Sequence, residues 1–280
     1  EITVPANAES VKMAVILQKT VGKRHGSYYY PDLSGVARSF NYYPMGRSSH
    51  EDGVIHLAMG LGKTIVDGDI SWSFSPRYPK VNPPYRTVKE LLQLTQTEFW
   101  AVNMGEPPEY NPIQETEYLE KRSIMAAEKD GTLNLSASTF DPQNQRLTIG
   151  VGSQGPRVLT FAPLLVIKTV PINALVQKVL KVSEDFLPRP VENEFAMTFN
   201  PHRFGFLQVR PMSVFEDQII INDEYIAGDR LLLASENVLG NGVSQGIRDV
   251  VYVRHESFES RHTHDIAREL TELNRRLVDQ

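Results

Sequence analysis

Val191-Glu192-Asn-Glu194-Phe-Ala-Met-Thr-Phe199 is followed, after Asn200-Pro201-His202-Arg203, by Phe204-Gly-Phe206-Leu-Gln208-Val-Arg210-Pro-Met212. Two β-prone runs so close together predict an antiparallel hairpin. Successive strand residues point to opposite faces, so alternation sorts the side chains. Glu192, Glu194, Gln208 and Arg210 fall on one face, and Val191, Phe195, Leu207 and Val209 on the other, which is the core face. The polar face gathers two carboxylates, a carboxamide and a guanidinium. That is the chemistry needed to hold Mg²⁺ through hard oxygen ligands while a forked cation grips phosphate oxygens. The pattern alone leaves a second reading open, a solvated strand face with cross-strand ion pairs.

Outward from the hairpin, β-prone stretches bounded by Gly, Pro and Asn recur upstream at Met13–Leu17, Gly35–Phe40, Val54–Met59, Ile70–Phe74 and Phe99–Val102, and then at Leu133–Phe140, Leu147–Gly150 and Val158–Phe161. Proline-dense breaks occur at 75–84 and 106–112. Thr87 with Glu90 three residues on has the spacing of a capping box before a short helix. From Pro171 to Leu187, Ile172, Leu175, Val176, Val179, Leu180 and Phe186 recur at three- and four-residue spacing, which predicts an amphipathic helix. Short strands are expected at Ile219–Ile221, Leu231–Ala234 and Val250–Val253. A closing helix is expected with Ile266, Leu270, Leu273 and Leu277 in one stripe. The expected class is α+β: a mainly antiparallel sheet flanked by helices, with a C-terminal strand and helix extension.

Three local motifs are set aside. Gly60-Leu-Gly62-Lys63-Thr64 resembles the end of a phosphate-binding loop, but Leu57 stands where the opening glycine belongs, and Ile65-Val66 read as strand. Gly150-Val-Gly152-Ser-Gln-Gly155 satisfies a dinucleotide fingerprint literally, yet Pro156 and a β-prone run follow it, not a helix. A kinase glycine loop would suit that context better, but no His-Arg-Asp or Asp-Phe-Gly occurs downstream, so a hairpin loop is expected. His262-Thr-His264-Asp265 opens the terminal helix, where residues two apart diverge, and is read as a solvated helix start.

Composition bounds the function. The 280 residues are 41% hydrophobic and 22% charged, close to the globular norm. Lys and Arg number 29 against 34 Asp and Glu, so the net charge is −5, which argues against a nucleic-acid-coating surface. With no cysteine, disulfide frameworks and thiol catalysis are excluded. No apolar run is long enough to span a membrane. The chain opens at Glu1 and enters a strand-like stretch at Val11–Val21, so a piece of something larger is expected.

The hairpin sequence resembles the end of the nucleotide-binding domain shared by phosphoenolpyruvate synthase and pyruvate, phosphate dikinase, an ATP-grasp fold. Ile16-Leu-Gln18-Lys-Thr-Val21, Ser34-Gly35-Val36 and Gly60-Leu-Gly62 with Val66-Asp67-Gly68 are similar to the family's Val-Gln-x-Met-Val strand, Ser-Gly-Val turn and Gly-Leu-Gly-Glu…Val-x-Gly segment. The resemblance runs from about Met13 to Met212. It implies ATP with Mg²⁺, Glu194 and Gln208 as metal ligands, Arg210 on the transferred phosphate, and Glu192 as an accessory acid that orients Arg210 or meets a second ion. Gln18, Gly60, Gly62 and Lys63 would then border the nucleotide. Lys63 replaces the family's Glu, a cation where a carboxylate is expected.

The same resemblance divides the chain into 1–216, the later part of the domain with a β-rich insertion at 111–155, and an appended 217–280. It implies that a first ATP-grasp lobe, a phosphohistidine domain and a pyruvate-binding domain belong to the parent protein, and that the chain alone is inactive. The expected role is the ATP-binding lobe of a cytoplasmic phosphotransferase that passes phosphate to a histidine elsewhere. A non-catalytic nucleotide sensor or interaction module is the alternative, or a dikinase acting on water or a sugar polymer.

Overall fold

A computed structural model describes residues 17–83, 85, 87–106, 118–212, 231–234, 245–254, 258–259 and 262–278. The chain separates into two compact units, Glu1–Val214 and Phe215–Gln280. Strands of the first unit are β1 (Lys23–His25), β2 (Tyr28–Tyr30), β3 (Leu33–Arg38), β4 (Val54–Ala58), β5 (Trp72–Phe74), β6 (Glu98–Asn103), β7 (Leu119–Ser123), β8 (Ala137–Asp141), β9 (Arg146–Ile149), β10 (Arg157–Leu159), β11 (Val191–Phe199) and β12 (His202–Pro211). Its helices are α1 (Lys63–Val66), α2 (Val88–Gln93), α3 (Ile124–Lys129), α4 (Ala162–Leu165) and α5 (Ile172–Phe186). The strands form three sheets, ordered β12-β11-β3-β4-β5, β1-β2-β6-β7 and β10-β8-β9, and every pairing is antiparallel. The α+β reading therefore holds.

The five-stranded sheet positions the site, and α5 covers its other face. Ile172, Val176 and Leu180 are buried on one side of α5, the stripe expected from the spacing. Asn193 of β11 donates from Nδ2 to Ser183 Oγ of α5 at 2.9 Å. On this covered face Phe195 packs over Gly35, where an added Cβ would lie 2.2 Å from the Phe195 ring. Gly35 is thus required by contact, and Ser34-Gly35-Val36 is the middle of β3 and not the expected turn. Thr87 caps α2 as its sequence predicts, its side chain accepting from the Glu90 amide at 3.1 Å.

Several expectations need correction. Ile65 and Val66 lie in α1, one helical turn after Gly62, because the Ile65 and Val66 amides both reach back to the Gly62 carbonyl. Leu17 to Gly22 are not strand, and Met13 to Ile16 lie outside the described residues. The 150–155 glycine loop is not a hairpin between adjacent strands: β8 lies between β9 and β10, so the loop crosses its end. Contact selects glycine at its last position, since a Cβ on Gly155 would sit 2.1 Å from the Phe140 carbonyl oxygen. The turn between β11 and β12 is shortened to Asn200-Pro201, whose peptide is cis.

In the second unit the closing helix α6 (Thr263–Val278) forms as expected. Leu231–Ala234 and Val250–Val253 are not strands, and Ile219–Ile221 lies outside the described residues. Both described stretches are exposed, and neither pairs with a strand among the described residues. The described part of the extension is helix and irregular chain.

Candidate nucleotide and metal site

The hairpin brings the four predicted side chains into two adjacent rows. Glu192 stands opposite Arg210, and Glu194 opposite Gln208. A register shift at Glu194/Phe195 then sets Phe206 against Phe195, leaving Leu207 unpaired as the extra residue of a bulge. This corrects the simple alternation: Phe204 stacks on Phe195 at 5.3 Å between ring centroids, and Leu207 instead offers its carbonyl to Gln18 Nε2 at 2.9 Å. The bulge lets Glu194 and Gln208 share a row while the aromatics beyond it pair on the other face.

Strand β3 extends both rows. Arg38 pairs with Glu192 on the side away from Arg210, and Val36 with Glu194. On β4, His56 follows Val36 in the same row. Glu192, with only 6% of its side chain exposed, is held between two guanidiniums. Its Oε2 accepts from Arg38 Nε at 2.5 Å and its Oε1 from Arg210 Nε at 2.7 Å, with Arg210 also reaching that oxygen through a terminal nitrogen. Burial alone would push the Glu192 carboxyl up, but the hydrogen bonds and charges of Arg38 and Arg210 outweigh it and hold the group below the usual carboxylate range. His56 is half-buried, and burial, helped by Arg38, drives its imidazole down to about 4. It is neutral at pH 7, with Nδ1 3.5 Å from the Ser71 hydroxyl.

Glu194 and Gln208 contrast with that triad. Neither side chain has a hydrogen-bond or ion-pair partner among the described residues, although they sit directly opposite each other on paired strands. Among the described residues, no group of three or more His, Cys, Asp and Glu is placed to hold a metal. Two hard oxygen ligands suit Mg²⁺ nonetheless, because that ion keeps several waters and takes its remaining ligands from phosphates. The residues present fit the ion.

The glycine turn is tied to β3 at Ser34, two residues before Val36. Gly60 closes β4 with φ +77°, its carbonyl accepting from Ser34 Oγ at 2.6 Å, and a Cβ there would meet Phe99 and the Trp100 carbonyl at 2.7 Å. Gly62 precedes α1. Lys63 pairs with Asp67 at 2.9 Å, and its ammonium lies 5.6 Å from the Trp100 ring centre. From the other strand, Lys121 lies 5.1 Å from the same ring and bonds Asp69. A cleft of about 160 Å³ beside the turn is lined by Thr64, Asp69, Gln96, Trp100 and Lys121 among others, and none of the hairpin residues lines it.

Sequence reasoning missed Arg38 and His56. Each left a signal, a cation closing the small and apolar residues Leu33–Ala37 and a lone imidazole within the apolar run of β4. Neither signal names a partner until β3, β4 and β11 are set side by side.

No curated protein matches the chain in a direct comparison. A family model described as pyruvate phosphate dikinase, AMP/ATP-binding domain, matches residues 5–224. That span takes in both rows and the glycine turn, and the chain belongs to the pyruvate phosphate dikinase AMP/ATP-binding domain family.

Proposed function

We propose that the rows on β3, β11 and β12 form the phosphate and metal side of an Mg-ATP site in a phosphotransferase of the phosphoenolpyruvate synthase and dikinase kind. The observation that carries this is the pairing of Glu194 with Gln208, neither with a hydrogen-bond or ion-pair partner among the described residues, next to Arg210 held by Glu192. Glu194 and Gln208 hold the ion through oxygen. Bound there, Mg²⁺ neutralises phosphate charge. Arg210 keeps its other terminal nitrogen for the transferred group, and its contribution is electrostatic. Glu192 fixes the direction of Arg210 and, with both oxygens engaged by arginine, is spent on that task. Gln18 braces the Leu207 bulge and so the register of the metal pair. Phosphate leaves for a histidine on another domain of the parent protein, whose remaining parts also supply the first ATP-grasp lobe.

A second reading, a nucleotide-sensing module without turnover, is favoured by one observation. Lys63, standing where a carboxylate is expected, is tied to Asp67 and lies near the Trp100 ring, so the Gly60–Lys63 turn offers no acid to the nucleotide. Calorimetric titration of the chain with ATP, with and without Mg²⁺, tests the binding claim. Mg²⁺-dependent binding lost in Glu194→Ala supports it, and equal affinity in the two proteins removes Glu194 from the site. Phosphate exchange between ATP and its products in the parent protein separates turnover from sensing.

A further inference from the structure

Three neighbouring strands place Arg38, Glu192 and Arg210 in one row. One buried carboxylate therefore serves two cations, and the three groups carry a net charge of +1 (two guanidiniums less one carboxylate). One arginine would neutralise Glu192. The second leaves an excess positive charge that no other described side chain takes up by a direct bond: Glu194, one row along, bonds neither arginine, and His56 is neutral. That excess sits on two partly exposed guanidiniums, where an anion from solvent can reach it.

The bonding of each arginine shows where that anion is met. Arg38 uses only Nε on Glu192, so both terminal nitrogens have no hydrogen-bond partner among the described residues. Its side chain is 36% exposed, against 6% for Glu192, so the fork is open while its anchor is not. Arg210, 59% exposed, is gripped from the opposite side of the same carboxylate. Two strand spacings separate the Cα atoms, roughly 10 Å, and a shared anchor brings the two guanidiniums closer than that. A chain of phosphoryl groups can engage both, whereas a single phosphate has no need of two forks.

We propose that Arg38 is a second phosphate-binding guanidinium of this site, so that Arg38 and Arg210 form a clamp for a polyphosphate tail, set by the one carboxylate between them. The proposal rests on the nucleotide reading above and adds to it a preference for di- and triphosphates over monophosphates. Glu192 pre-orients both forks, which lowers the ordering cost of binding.

The test uses the whole 280-residue chain with three probes: Mg-ATP, Mg-tripolyphosphate and adenosine. Arg38→Lys is the informative variant, because a lysine retains the ion pair with Glu192 but lacks the planar fork that serves carboxylate and phosphate together. Its melting temperature is expected to stay near that of the parent chain. Affinity for Mg-ATP and Mg-tripolyphosphate is expected to fall roughly tenfold or more, with adenosine unchanged. Arg38→Ala is expected to lose at least as much. Unchanged Mg-ATP affinity in folded Arg38→Lys overturns the clamp, and so does an equal loss for adenosine. Should the parent chain bind tripolyphosphate but no nucleotide, and Arg38→Lys lose that binding, the clamp stands and the nucleotide reading falls. Failure of the parent chain to bind either polyphosphate overturns both.

Discussion

The row of Arg38, Glu192 and Arg210 and the turn from Gly60 to Lys63 hold the same kinds of charge in different ways. At the turn each cation meets a nearby aspartate at the surface, Lys63 with Asp67 and, from the adjoining β7, Lys121 with Asp69, and the two ammonium groups share the Trp100 ring. In the row, cations on two flanking strands converge on one buried acid, and the next row is left with an acid and an amide whose side chains bond none of the described residues. The turn is charge-balanced within itself. The row of Arg38, Glu192 and Arg210 is not: it carries +1, and the acid that offsets it, Glu194, stands in the next row and bonds neither arginine.

Removing the shared acid should have the largest effect. Glu192→Ala leaves two arginines facing each other across a partly dry strand, and a loss of about 3 kcal/mol in unfolding free energy is expected by denaturant titration. Arg38 and Arg210 are partly exposed and can rehydrate, which keeps the loss at the low end for broken buried pairs. A loss no larger than that of a surface substitution would show that the row is held as loosely as the turn.

Acidification separates the regions next. His56 has a folded value of about 4 against an ordinary value near 6.5, so the folded chain binds fewer protons than the unfolded chain between these limits. Stability is therefore lost as pH falls through that window, by about 2 kcal/mol between pH 7 and 4.5. Glu192, also depressed, adds its own loss as pH falls further, through the ordinary carboxylate range. His56→Gln should flatten the upper part of this profile; an unchanged slope would place the titrating group elsewhere.

Smaller still is the expected effect of Glu194→Ala on ligand binding. Mg²⁺-dependent nucleotide affinity should fall roughly tenfold, about 1.4 kcal/mol, while stability changes by less than about 0.5 kcal/mol because no bond to a described residue is lost. A large stability change would mean that Glu194 serves the fold. The smallest effect belongs to the turn: Lys63→Ala should alter stability by under about 0.5 kcal/mol, as isolated surface pairs do. A larger loss would show that the Trp100 stack makes the turn as interdependent as the row.

Much of the site could be read from the chain because period-two alternation is local. Glu192, Glu194, Gln208 and Arg210 share a face for that reason, and the hairpin supplies their pairing. The bulge at Leu207 was not legible, since alternation assumes an unbroken ladder. Ile65 and Val66 read as strand from their β-branched side chains, yet the backbone after Gly62 turns into α1 and overrides that preference. The glycines at 150–155 announced a loop but not its path, because strand order across β8 is a long-range fact.

The sequence by itself determined the class of the fold, the hairpin, the helices α2, α5 and α6, and which four polar side chains share one face of the hairpin. Those depend on spacing within a few residues, where backbone geometry leaves little choice. Only the tertiary structure decided that Arg38, 154 residues before Glu192, completes the row, and that Glu192 serves arginines on both sides. Pairing between distant strands is selected by burial of the whole sheet against α5, and no local pattern in β3 specifies that its neighbour will be β11.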